Sequence, residues 1–304
     1  MKVLIKISVI LLLISVFWFS AGFNSYADEK DFIKWVDCNV PYEVMLAAYE
    51  YDKEFYKSQN VDFSFVKSLA YLATKNGNKF NIKRDTSELK KLVVQLKNGK
   101  KIDDFYGNNK YYKYYVEAYD AIFADFFGEY QTDKGETVYG LKNYHPFPQG
   151  YWYNHYDDFG VSRSFGFKRR HLGHDMMGSI GTPLAAIEGG TVTELGWNKY
   201  GGWRITIRSF DKKRAYYYAH LRKGKPYVDD LRVGDAVEAG DVIGYLGVTG
   251  YSTKENSNMK CPPHLHLGMQ LIFDESQVDG PTEIWIDMYQ ICKFLSNNRV
   301  SVVK

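Results

Sequence analysis

Cysteine is scarce in this 304-residue chain: three residues, Cys38, Cys261 and Cys292. An odd number at wide spacing excludes a disulfide framework, although a single bridge stays open. A concentrated basic face is also missing. The formal charge is +3, and without Lys2 and Lys6 near the amino terminus the balance is 37 basic to 36 acidic residues, or +1. That excludes the electrostatic footprint of a nucleic-acid partner. Beyond the first 27 residues no apolar run is long enough to span a bilayer. What is abundant is tyrosine, 26 residues against 6 tryptophans, within an ordinary 45% apolar content.

Residues 1–27 read as a secretory leader. Lys2 and Lys6 give the charged start, Ile7 to Ala21 the apolar run, and Ser25-Tyr26-Ala27 a small-x-small cleavage signal. An uncleaved amino-terminal anchor is the alternative. Either way the rest of the chain is expected outside the cytoplasm, secreted or associated with the cell wall. No cysteine follows the apolar run to carry a lipid.

Residues 28–135 carry helical spacing. Tyr42, Met45, Leu46 and Tyr49 follow Pro41, a residue suited to a first turn. Asp62 is expected to cap a second helix bearing Phe65, Leu69, Leu72 and Ala73, with Gly77 as its stop. Thr86 or Ser87 is expected to cap a third, bearing Leu89, Leu92, Val93 and Leu96. A fourth is expected from Lys110 to Phe127, ended by Gly128. Such helices can bury one small core. They hold no chemical motif, and their tyrosine stripe reads as packing, with a glycan-stacking role as the sharper alternative.

Residues 136–155 are rich in turn formers and read as a linker containing His145 and His155. From residue 156 to 304 the period changes to strands. Thr191–Trp197, Trp203–Arg208 and Arg214–His220 are β-branched and aromatic. The glycine-rich run Val233–Gly250 lacks the Gly-Lys-Ser/Thr ending of a phosphate loop. Met288, Ile291, Cys292 and Leu295 suggest a closing helix.

Two stretches carry chemistry. In Pro263-His264-Leu265-His266, strand alternation points both imidazoles one way and Leu265 into a core. Two histidines are a costly core filling, since each ring nitrogen needs a partner. In His171-Leu-Gly-His-Asp175 the even spacing puts His171 and Asp175 on one strand face, and Gly173 lets a neighbour approach closely. His171, Asp175 and one histidine of the later pair make three ligands that zinc accepts, the number typical of catalytic sites. His174 faces away.

The ordered set His171-x-Gly-x-Asp175, Gly181-Thr182-Pro183, Ala219-His220-Leu221, the glycine-rich run and Pro263-His264-Leu265-His266 resembles the lysostaphin and LytM-type zinc metallopeptidases over roughly residues 160–273. The resemblance implies an α+β chain: a small helical domain of unknown role, then a β-rich antiparallel-sheet domain of the duplicated hybrid motif. It implies one Zn2+ per domain on His171, Asp175 and His266, with Cys261 not needed. His220 and His264 would act beside the metal, His264 as base and His220 as stabiliser, although sequence does not divide these roles. The implied function is a metalloendopeptidase hydrolysing peptide bonds in peptidoglycan stem peptides or cross-bridges. The helical domain could bind a regulatory partner.

Tyr216 and Tyr218 are expected on the face shared with His220, with Tyr218 touching substrate, and Trp203 is a further candidate for the groove wall. Arg204 and Arg208 share a strand face and could hold a stem-peptide carboxylate. The alternative function is a protein that binds peptidoglycan or a partner with a structural zinc and no turnover.

Overall fold

The computed structural model describes residues 32–58, 63–132, 134–164 and 168–302. The leader at residues 1–27 and Asp62 lie outside the described residues. Helices precede an antiparallel sheet, as expected, but the described residues from Ile33 onward form one compact unit rather than two domains joined by a linker.

The helices are α1 (Tyr42–Ser58), α2 (Phe65–Asn76), α3 (Ile82–Lys97), a single turn α4 (Asp103–Tyr106) and α5 (Lys110–Phe123). Ser64 caps α2, its hydroxyl accepting from the Lys67 N–H at 3.3 Å, and Gly77 ends it with φ +64. The third helix starts earlier than expected. Asn81 caps it by accepting from the Arg84 N–H, and the Asp85 carboxylate accepts from the Asn81 N–H. Leu89, Leu92, Val93 and Leu96 form its buried face as predicted. The fourth expected helix stops at Phe123. Residues from Phe127 turn instead into a hairpin, β1 (Phe127–Gln131) with β2 (Thr137–Leu141).

The tyrosine stripe is mixed: Tyr112 and Tyr119 are buried, whereas Tyr111 is exposed. The Tyr119 hydroxyl donates to Asn78 Oδ1 at 3.1 Å, which satisfies its polar end.

The remaining strands are β3 (Tyr153–His155), β4 (Ser162–Ser164), β5 (Lys168–Arg170), β6 (His174–Gly178), β7 (Pro183–Ala185), β8 (Gly190–Asn198), β9 (Gly202–Ser209), β10 (Arg214–Ala219), β11 (Ala236–Val237), β12 (Val242–Tyr245), β13 (His264–Leu271) and β14 (Ile284–Ile286). The large sheet runs β11-β8-β9-β10-β13-β6-β3, with β14 also on β13, and every pair is antiparallel. Residues 136–155, expected as a linker, thus supply β2 and β3. Among the described residues no helix is long and apolar enough to cross a membrane.

One core runs through helices and sheet. Leu265, Leu267, Met269 and Leu271 of β13 point into it, as do Tyr216 and Tyr218 of β10. The closing helix α6 (Tyr289–Leu295) sends Phe294 against Phe65 and Phe127, with ring centroids 6.2 and 6.1 Å away. A buried polar junction also spans the two parts. The Arg214 guanidinium, at 0% exposure, donates twice to Glu188 at 2.8 Å and once each to Asp125 and Asp211 at 3.0 Å. It also donates to the Ala121 carbonyl of α5 at 2.7 Å.

Candidate metal centre and active site

The site is built on the outward face of β6, β10 and β13. In β13, His264 and His266 alternate with core leucines and so share that face. His266 pairs with Asp175 of β6 and with Ala219 of β10, which fixes where its ring lies. His171 sits just before β6. Gly173 makes room for the convergence, because a Cβ there would stand 2.4 Å from His266 Cε1.

Three donor atoms meet. His171 Nε2 lies 3.1 Å from Asp175 Oδ1 and 2.9 Å from His266 Nδ1, and His266 Nδ1 lies 3.1 Å from the same Oδ1. On tetrahedral zinc with bonds of about 2.0–2.1 Å, donors stand about 3.3 Å apart, so the triangle is close to the size that ion needs. The lone-pair count agrees. The His171 Nδ1 side faces Asp158, with both the main-chain oxygen and Oδ2 at 3.1 Å. A proton held there leaves the Nε2 lone pair pointing into the triangle, beside a carboxylate oxygen and a second imidazole nitrogen. Such a set calls for a cation.

Electrostatics follow the contacts. Burial opposes the charge on Asp175, yet the hydrogen bonds from His171 and His266 outweigh it and hold the carboxyl well below its usual range. For His171 burial lowers the pKa, but Asp158 and Asp175 more than reverse this and raise it to about 9. Metal uptake by this set therefore releases a proton. Arg163 Nη2 bridges Asp158 Oδ2 at 2.6 Å and Asp175 Oδ2 at 3.1 Å, which leaves Oδ1 as the inward-facing oxygen of Asp175.

Two further histidines border the triangle. His264 Nδ1 donates to the Pro262 carbonyl at 2.8 Å, so Nε2 is the acceptor nitrogen, 3.9 Å from Asp175 Oδ1. His220 Nδ1 donates to the Thr249 carbonyl at 2.7 Å. The His220 ring centroid is 4.8 Å from that of His264 and 5.9 Å from that of His266. Burial, then His264 and His266, push the His220 pKa well below the usual value. Its backbone is left-handed, φ +61, a conformation held by its N–H donating to the Gly201 carbonyl at 2.7 Å.

That left-handed residue corrects one expectation. Strand parity ends at Ala219, so facing cannot be extrapolated from His220 back to Tyr218. Tyr218 is wholly buried, its hydroxyl oxygen accepting from the Ile187 N–H at 2.9 Å, and it is not a substrate contact. Tyr216 is buried as well, donating to Glu188 Oε2 at 2.7 Å. Tyr217 takes their place on the site face, its ring 5.9 Å from His266.

Arg204 and Arg208 are also spoken for, by Glu194 at 3.1 Å and by both oxygens of Glu275 at 3.0 and 2.7 Å. Trp203 donates to Asn256 Oδ1 at 3.0 Å and packs against Trp197 and Tyr227. His174 faces away from the triangle and meets His155 Nδ1 at 2.8 Å. His145 is buried beside Phe147. Cys261 Sγ is 3.8 Å from His264 Nδ1, outside the triangle, and all three cysteines are free thiols.

Sequence reasoning missed Asp158, Arg163, Arg169 and Tyr251. All four reach the site from loops or a short hairpin, where no periodic signal marks them.

This β domain brings together a His–Asp–His set that could hold a metal ion, with two further histidines beside it. Residues 169–279, a little over a third of the chain, match the sequence model of Peptidase family M23. The L-Ala–D-Glu endopeptidase of Bacillus subtilis is 38% identical over 144 residues, 47% of this chain and 41% of that protein. Lysostaphin of Staphylococcus staphylolyticus is 38% identical over 128 residues, 42% of this chain and 22% of that protein. The chain thus spans less than half the length of these two relatives. A crystal structure from Ruminococcus gnavus, provisionally named a glycyl-glycine endopeptidase lytM, superposes with TM-score 0.59 at 25% identity. It covers 86% of this chain and 89% of its own, more than the sheet part alone could supply.

Proposed function

We propose that the protein is a secreted zinc metalloendopeptidase that hydrolyses peptide bonds in peptidoglycan, within stem peptides or cross-bridges. The observation that carries this reading is the convergence of His171 Nε2, Asp175 Oδ1 and His266 Nδ1 with two acceptor histidines beside them. The family match and the endopeptidase names of the relatives support it.

In this reading His171, Asp175 and His266 hold one zinc per domain. Zinc bound there supplies a water of lowered pKa, about 7, and polarises the scissile carbonyl. His264 Nε2 takes the proton of the attacking water as the oxygen bonds to the carbonyl carbon. The C=O π pair moves onto oxygen. When the C–N bond then breaks, His264 returns the proton to the leaving nitrogen. His220 faces the same space, but its Nδ1–H is committed to Thr249. Its Nε2 is therefore an acceptor, which would take a hydrogen bond from the other proton of the attacking water and aim the oxygen at the carbonyl carbon.

Asp158 orients His171 from outside the triangle. Asp158→Ala is expected to weaken zinc binding by about tenfold to a hundredfold, read by competition with a chromophoric chelator. Unchanged affinity would remove Asp158 from this supporting role.

A digest tests the function. Mature protein incubated with purified peptidoglycan should release new amino termini, identified by mass spectrometry, that vanish when a zinc chelator is present. New termini insensitive to chelator, or none from zinc-loaded protein, would contradict the reading.

A further inference from the structure

The β4–β5 hairpin lies over the site and carries Arg163, Lys168, Arg169 and Arg170 with no acidic residue between them. Arg163 and Arg169 are directly opposite in its register and therefore share a face. Like charges so placed repel unless each has a counter-charge. Arg163 has two, Asp158 and Asp175. Arg169 has none: among the described residues no carboxylate lies within ion-pair distance of it. Its guanidinium is near two aromatic rings, 5.5 Å from the Tyr200 centroid and 5.3 Å from that of Tyr251. Nη2 donates to the Tyr251 hydroxyl, while Nε is buried with no hydrogen-bond partner. Tyr251 in turn stacks on His220, with centroids 5.7 Å apart and planes at 30°. Arg169 is thus one ring's breadth from a histidine of the site, anchored by the Tyr251 hydroxyl, with no counter-charge and one donor unsatisfied.

A guanidinium without a counter-charge, packed against like charge, gains free energy when a ligand carboxylate pairs with it. A planar guanidinium anchored by a hydroxyl and lying within cation–π range of two rings is a preorganised receptor for a carboxylate. We propose that Arg169 is a carboxylate-binding subsite. The preferred substrate is then an acidic peptide with a carboxylate within a residue or two of the scissile bond, not a neutral glycine bridge. Arg204 and Arg208 cannot serve, being neutralised by Glu194 and Glu275. The inference rests on the endopeptidase reading above for its kinetic form, but not for its binding form.

The test uses the zinc-loaded protein and three probes: a synthetic L-Ala–D-Glu stem peptide with its free α-carboxylate, the same peptide as the α-carboxamide, and pentaglycine. The acid is expected to exceed the amide by about tenfold to a hundredfold in kcat/KM, with the difference carried in KM. R169Q should bring acid and amide to within about threefold of each other, and R169K should restore part of the preference. Titration calorimetry with the same peptides gives the comparison without turnover. If neither peptide is cut, the hydrolase reading falls, and the binding difference still decides the subsite. A wild-type ratio near one, a preference for pentaglycine, or a ratio unchanged in R169Q would overturn the proposal. So would an equal fall in kcat for both stem peptides with KM unmoved, the signature of a residue that only braces Tyr251.

Discussion

Alanine at His266 is expected to remove metal and activity together, whereas alanine at His264 should leave the metal in place and lower kcat by about 10²–10⁴. The two residues are neighbours on one strand face, so the contrast is demanding. His266 Nδ1 is part of the donor triangle, within 2.9 Å of His171 Nε2 and 3.1 Å of Asp175 Oδ1. Losing it leaves two ligands, too few for a zinc site. His264 stands back, with Nε2 3.9 Å from Asp175 Oδ1 and its other nitrogen tied to the Pro262 carbonyl. Its removal takes away a proton acceptor and no ligand. Zinc content by atomic absorption and kcat on peptidoglycan peptides, measured on both variants, check this. Zinc lost from H264A and kept by H266A would mean that ligand and base are exchanged.

Alanine at Arg214 should destabilise the fold by roughly 3–5 kcal/mol, with no group at the site touched. The guanidinium is fully buried and is the counter-charge for Glu188, itself only 5% exposed. Glu188 also accepts from Tyr216, so its charge is locked in place. Truncating the arginine leaves that carboxylate buried without a cation, and it strips the sheet of its bonds to Ala121 and Asp125 at the end of the helical segment. Urea unfolding measures the loss. The double variant R214M/E188L should recover most of it, because neither charge is then buried. A loss below about 1 kcal/mol in R214A would show that water replaces the guanidinium and that the junction is not a lock.

The sheet and the shared face of its two histidines were legible because alternation on β13 is a local rule. His264 and His266 face out and Leu265 and Leu267 face in, whatever lies around them. The helices were legible for the same reason, through the buried spacing of Leu89, Leu92, Val93 and Leu96. Features outside a local rule were not. Tyr218 was misplaced because His220 adopts φ +61 one residue past the end of β10, and a left-handed residue resets the facing. The β1–β2 hairpin was missed because Phe127 fits a continuing aromatic stripe as well as a strand. Arg204 and Arg208 looked available because Glu194 and Glu275 reach them from another strand and from beyond β13. Asp158 and Arg163 reach the His–Asp–His triangle, and Arg169 the edge of the site at Tyr251, from loops and a short hairpin that only the folded chain brings there.

The central claim is that one metal ion on His171, Asp175 and His266 runs peptide hydrolysis. Back-titration of chelator-stripped protein with zinc, following hydrolysis of peptidoglycan peptides, tests it most directly. The account predicts no turnover in the stripped protein and a linear rise that levels at one equivalent of zinc. Turnover before any zinc is added, or none at full occupancy, would contradict it.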